Sequence, residues 1–266
     1  MMLTDQYLER CGGLIDCVRA QGGAIADAAD RFAATILAER MVHVFGSGHS
    51  RIMVEEMWPR YGSFPGWNPM VELSLSYHHP VVGSNGQRQA MFLENVPGFA
   101  ARILRNYDLS ELDTALVISS SGCNVVPIEI AEGFQQRGVG VVALISRAHS
   151  DASESKRSDG KKLSDFAEIV LDTGAPVGDA MLRVEGMEAP VAPGSTVGGC
   201  MVVNCIKAEV AGRLAEAGRP PRALAAGAVV GSERAAEIFE AAYDEHGRRL
   251  ARLFATLGGA EECDRA

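Results

Sequence analysis

A chain of 266 residues, 47% hydrophobic and 22% charged, has the composition of a globular protein with a sizeable core rather than of a disordered polymer. Its formal charge of −9 argues against a nucleic-acid partner, because phosphate backbones are gripped by clustered Lys and Arg. No apolar run approaches the roughly 20 residues that cross a bilayer, and Asp5, Glu9 and Arg10 do not suit a secretory start, so the expectation is a cytoplasmic protein without membrane contact.

Residues 4–39 read as a helical arm. Leu14, Ile15, Val18, Ile25, Phe32 and Ile36 keep helical spacing, with a break expected at Gly22-Gly23. Short apolar runs at 42–45, 70–75, 115–118, 141–145 and 168–171 then suit buried parallel strands. Helices are expected at 51–60, 97–107, 125–137 and 195–217. Strands alternating with helices build a parallel sheet covered on both faces, with ligands gathered at the carboxyl ends of the strands. The polar stretch 146–164 reads as a mobile surface segment. From Val197 to Ile206 the fourth helix carries no charge, which predicts burial on every side, in a core or between subunits. Pro220-Pro221 ends it, and a charged amphipathic helix follows at 233–257. No linker or repeat interrupts the chain, so residues 1–266 read as one domain with its core at about 40–215.

Two strand-to-helix turns carry the chemistry. Gly46-Ser47-Gly48-His49-Ser50 puts glycines where a strand must turn sharply and a ligand can approach the backbone. Ser119-Ser120-Ser121-Gly122-Cys123-Asn124 repeats the arrangement, and Pro127 suits the first turn of the next helix. Hydroxyls beside free N–H groups at a helix start fit phosphate, although Ser and Asn are also ordinary caps. The dinucleotide fingerprint fails because Arg51 stands where its third glycine belongs, and no Gly-Lys-Ser or Gly-Lys-Thr completes a P-loop. The six cysteines form no Cys-x-x-Cys pair, and His43, His149 and His246 lack metal-like spacing, so neither metal nor cofactor is expected.

On these residues the sequence resembles the SIS (sugar isomerase) domain family. The likeness rests on Val44 to Ser50 with Glu55-Glu56 one helix later, and on Ile118 to Glu129. Lys161-Lys162-Leu163, Gly174 to Ala180 and Gly194-Ser195-Thr196 add a resemblance to single-domain bacterial proteins similar to phosphoheptose isomerase. The resemblance implies a three-layer αβα sandwich, flavodoxin-like and doubly wound, with a five-stranded parallel sheet between N- and C-terminal helical arms. It implies a homo-oligomer, dimer or tetramer, with sites near subunit contacts. A small phosphorylated sugar would be held by Ser47, Ser50, Ser119, Ser121 and Asn124, with Ser195 and Thr196 completing the pocket. Glu56 or Glu55 would move a proton in aldose–ketose isomerisation, as a glutamate of that helix does in the isomerases. His49, His78 and His79 are candidates for the second group, with His79 preferred because Pro80 fixes its backbone. The phosphoheptose isomerases carry a Gln and a His in the helix matching 195–217, whereas Gly198, Gly199 and Asn204 stand in that region. A non-catalytic sugar-phosphate sensor and an etherase acting on an amino-sugar phosphate are the alternative functions.

Overall fold

Side chains of the central strands are buried on alternate faces of the sheet and divide the interior into two cores. The computed structural model describes residues 1–76 and 84–254. Strands β1 (Val42–Gly46), β2 (Trp67–Met70), β3 (Thr114–Ile118), β4 (Gly140–Ile145) and β5 (Ile169–Asp172) form one parallel sheet in the order β2-β1-β3-β4-β5. The helices, in chain order, begin with α1 (Leu3–Ala20), α2 (Gly22–Leu37), α3 (Arg51–Met57) and α4 (Leu73–Ser76). Then come α5 (Gln87–Leu93), α6 (Phe99–Leu104), α7 (Val125–Gln135) and α8 (Arg147–Asp151). The last three are α9 (Ser195–Glu216), α10 (Gly227–Val230) and α11 (Ser232–Leu253). Val44, Leu116, Ile118, Val142 and Leu144 face α2, α3 and α9, while Phe45, Ala115, Val117, Val141 and Ala143 face α6 and α7. The expected three-layer αβα sandwich with a five-stranded parallel sheet is therefore the observed fold. Among the described residues no helix is long and apolar enough to cross a membrane.

The arm breaks at Gln21, beside the expected glycines, and the break serves the sheet. The Gln21 side chain donates to the Asp172 carbonyl at 2.7 Å and accepts from the Asp172 N–H at 2.8 Å. It thereby closes the exposed edge of β5, which would otherwise present unpaired backbone.

Three expectations need correction. The second strand is Trp67–Met70 rather than 70–75, and α4 occupies Leu73–Ser76. Pro69 disguises the strand, but β2 is an edge strand, where proline is tolerated. The stretch 146–164 is not a loose surface segment. It contains α8, buries Ser150 and Leu163, and donates from Lys156 and Leu163 backbone N–H groups to the Cys123 and Gly122 carbonyls at 2.9 and 2.8 Å. Helix α9 is not buried all round within one chain. Gly198, Gly199, Val202, Val203 and Ile206 are buried against the body, while Asn204 and Cys205 are exposed. Gly198 explains how closely it packs: a Cβ there would collide with the Thr173 backbone carbonyl, which has no flexible end to move aside.

At the amino ends of the strands lies a buried polar group. Arg40 pairs with Asp113 at 2.6 Å, His43 Nε2 stands 3.5 Å from the same carboxylate, and Asn68 Nδ2 lies 2.9 Å from His43 Nδ1. Burial alone would raise the Asp113 carboxyl. His43 and Arg40, with the Ser110 N–H, outweigh it and bring its pKa down to about 2.

Two outcomes follow. Because the folded-state pKa of Asp113 lies below its unfolded value near 3.9, folding is favoured above that value, and the benefit is lost as pH falls from about 4 towards 2. Urea unfolding should show a loss of about 2 kcal/mol over that window, and Asp113→Asn should flatten this component of the pH dependence. Gly198→Ala should lower stability by about 2–3 kcal/mol in the same assay; an unchanged midpoint would show that α9 can back away from Thr173 without cost.

Candidate functional site

Parallel pairing of β1 with β3 sets Gly46 beside Ile118, so the two Ser/Gly-rich loops leave the sheet as neighbours. In a sheet of order 2-1-3-4-5 this is the point where the connections diverge to opposite faces and open a crevice. The first loop must fold back sharply: a Cβ on Gly46 would lie 2.7 Å from the Ser50 carbonyl oxygen. A single 3-10 turn, Gly48–Ser50, then leads into α3.

The second loop is built by its own bonds and held from outside. Gly122 N–H donates to the Ser119 carbonyl at 3.1 Å, and Cys123 N–H donates to Ser121 Oγ at 3.2 Å. Ser146 N–H donates to the Ser120 carbonyl at 2.9 Å, joining the contacts from Lys156 and Leu163. The loop ends at Asn124, the N-cap of α7, whose side chain makes no capping bond. The start of this 11-residue helix therefore lacks a side-chain cap and faces a loop of hydroxyls. Ser120 Oγ is buried with no hydrogen-bond partner.

The start of α9 is treated differently. Asp179 Oδ1 accepts from the N–H groups of Gly194 and Ser195 at 3.1 and 2.6 Å, and Oδ2 accepts from Ser195 Oγ at 2.9 Å. A carboxylate from outside the helix thus already fills its anion-binding end.

These elements enclose a cleft of about 400 Å³. Of the residues expected from sequence, Ser47, Ser50, Ser119, Ser121, Asn124, Ser195 and Thr196 all line it, together with His49. Glu55 and Glu56 do not. Glu55 is ion-paired with Arg51 at 2.6 Å, one turn away. Glu56 accepts from Asn204 Nδ2 at 2.8 Å and pairs with Arg60. Burial pushes the Glu56 carboxyl up, but those hydrogen bonds and the Arg60 and Lys207 charges outweigh it and hold the group below the usual range. His78 and His79 lie outside the described residues. No cluster of three or more His, Cys, Asp or Glu suited to a metal occurs among the described residues.

Among the lining residues that the sequence did not mark for the site are His149, Asp179 and Glu94. Glu94, just past α5, bridges the two loops. Asn124 Nδ2 donates to its Oε2 at 2.7 Å, its carbonyl accepts from Val126 N–H at 2.9 Å, and the Ser47 hydroxyl lies near enough to favour its charged form. Burial pushes the Glu94 carboxyl above the ordinary range, only partly offset by Ser47, Lys156 and Asn124. On the far side, Gly178 N–H donates to His149 Nδ1 at 3.1 Å. A backbone N–H can only donate, so Nδ1 carries the lone pair and the ring proton sits on Nε2.

Comparison with known proteins gives a consistent result. A family model described as the SIS domain matches residues 6–146. A UPF0309 protein of Brucella canis is 36% identical over 228 residues, covering 84% of this chain and 89% of the relative. A UPF0309 protein of Listeria innocua is 31% identical over 229 residues, covering 86% and 89%. Among solved structures, a phosphoheptose isomerase from Francisella tularensis is similar with a TM-score of 0.48 and 15% identity, over 79% of this chain and 98% of that one.

The bridge through Glu94 has a measurable consequence. Its carboxyl should titrate above the ordinary glutamate value of about 4.3 in a carbon-detected NMR titration. Asn124→Ala removes a donor that favours the charged form, so it should move the titration higher still. A downward movement would mean that Asn124 does not hold the carboxylate in solution.

Proposed function

The chain belongs to the SIS-domain family, with UPF0309 proteins among its relatives, and from that premise we propose that its cleft binds a small phosphorylated sugar and interconverts aldose and ketose forms. One observation carries the reading: the start of α7, without a side-chain cap, opens with Ser119, Ser120 and Ser121 into the same cleft as Ser47 and Ser50. The partial positive charge of a helix start and three hydroxyl donors suit a phosphate dianion. The α9 start, already occupied by Asp179, is the poorer seat. The phosphate therefore rests on 119–124, with Ser195 and Thr196 closing the far wall. Asn124 gives one donor to Glu94, so its share in holding phosphate is smaller than that of the serine run.

A non-catalytic sensor is the second reading. It draws support from Glu55 and Glu56, which lie outside the cleft in pairs with arginines. Assembly of two or more copies fits the half-open face of α9, where Ile15, Val18, Ile25, Met201 and Cys205 line an apolar groove.

Thermal-shift screening against hexose 6-phosphates, heptose 7-phosphates and the unphosphorylated sugars tests the binding. Stabilisation by phosphorylated sugars alone is expected, and Ser121→Ala should weaken the best binder roughly 10-fold or more, the loss for one donor to a charged group. Solvent deuterium entering the carbon next to the carbonyl then marks an isomerase. Binding without exchange would favour the sensor, and no stabilisation by any sugar phosphate would remove both.

A further inference from the structure

Isomerisation needs a base that can reach the sugar carbon next to the carbonyl and a donor for the carbonyl oxygen. Two carboxylates line the cleft among the described residues, Glu94 and Asp179. Asp179 is committed on both oxygens to the start of α9. Glu94 accepts from Asn124 on Oε2, and a carboxylate has about four acceptor positions, so it retains capacity for a substrate proton. Its place is fixed at side chain and backbone, by the Asn124 amide on Oε2 and by the Val126 N–H on its carbonyl, which is the pre-organisation a base requires.

Resting on the phosphosugar reading, we propose that Glu94 is the proton-transferring carboxylate of this cleft and that His149, through Nε2–H, is the acid facing the carbonyl oxygen. The Glu94 carboxylate takes the proton from the carbon beside the carbonyl. The electron pair of that C–H bond becomes the carbon–carbon double bond of the enediol, and the carbonyl oxygen takes the Nε2 proton of His149. Glu94 then returns its proton to the neighbouring carbon, and the hydroxyl on the other carbon returns one to His149 as the new carbonyl forms. Atoms and electrons balance with no further reagent. Burial, which lifts the Glu94 carboxyl towards neutrality, makes it a stronger base than the Glu56 carboxylate, which its partners hold low.

The titratable groups facing Glu94 among the described residues are His49 from the turn after β1, His149 from α8, Asp179 ahead of α9, and Lys156. The pH response must therefore be read by comparison with a variant that removes only the Glu94 charge.

Glu94→Gln keeps the shape and the tie between the loops. With the hexose or heptose phosphate that most stabilises the wild-type chain, Glu94→Gln should bind within about 3-fold of wild type and lose solvent-deuterium exchange by about 10²–10⁴-fold, the usual share of a general base. Glu94→Asp should recover part of the exchange. The wild-type rate should rise with pH along a carboxyl limb that Glu94→Gln lacks, a feature a merely structural residue would not remove. His149→Phe should lose exchange by about 10²-fold with binding retained. Exchange preserved in Glu94→Gln, or lost instead in Glu55→Gln or Glu56→Gln, would overturn the assignment while leaving the phosphosugar reading intact. Failure of the wild-type chain to bind any sugar phosphate would overturn the reading itself.

Discussion

The pairing of Gly46 with Ile118 across β1 and β3 is the constraint on which the site depends. Neighbouring parallel strands lie about 4.8 Å apart, so loops that leave two adjacent strands at the same level must share one crevice. The hydrophobic alternation that sends Val44 and Ile118 to one core and Phe45 and Val117 to the other locks that register. A slip by one residue would turn every one of these side chains to the wrong face. The cleft is thus a product of core packing before it is a product of its own residues.

The two long helices that begin at the cleft, α7 and α9, are finished in opposite ways. Asp179 fills the anion site of α9 in advance and in doing so orients Ser195. The α7 start has no side-chain cap: Asn124 gives its Nδ2 to the Glu94 carboxylate, and the Glu94 carbonyl accepts from the Val126 N–H in the place of a cap.

Much of this was legible in the sequence. Strands β1, β3 and β4 are almost wholly buried and read as continuous apolar runs, as does the partly buried edge strand β5, and the two loops sit where a parallel sheet requires its ligands. Strand β2 was obscured because Asn68 and Pro69 interrupt it, and Asn68 makes sense only through His43 on the adjacent strand. The segment 146–164 escaped because its role is carried by backbone N–H groups, for which polar side chains give no signal. For Glu55 and Glu56 the signal was present and outweighed: Arg51 and Arg60 lie four residues away, the spacing of ion pairs along a helix surface. Glu94 sits in an undistinguished stretch near a helix end, and only the approach of Ser47 and Asn124 sets it apart.

The electrostatics of the cleft bind these points together. Among its described lining residues there is no Lys or Arg, and the chain as a whole carries a formal charge of −9. On the proposed reading, a phosphate dianion would be held by neutral donors and by the helix start, equivalent to roughly half a positive charge. Geometry then matters more than charge, which accounts for the number of bonds devoted to shaping the loop at 119–124. The same weakness of positive charge acts on Glu94. Burial already lifts its carboxyl, and a dianion bound as proposed would drive it further towards the protonated form. Binding and proton affinity would be linked quantities in such a site, so on the proposed reading a cleft poor in cations would use the substrate's own phosphate to raise the basicity of the group beside it.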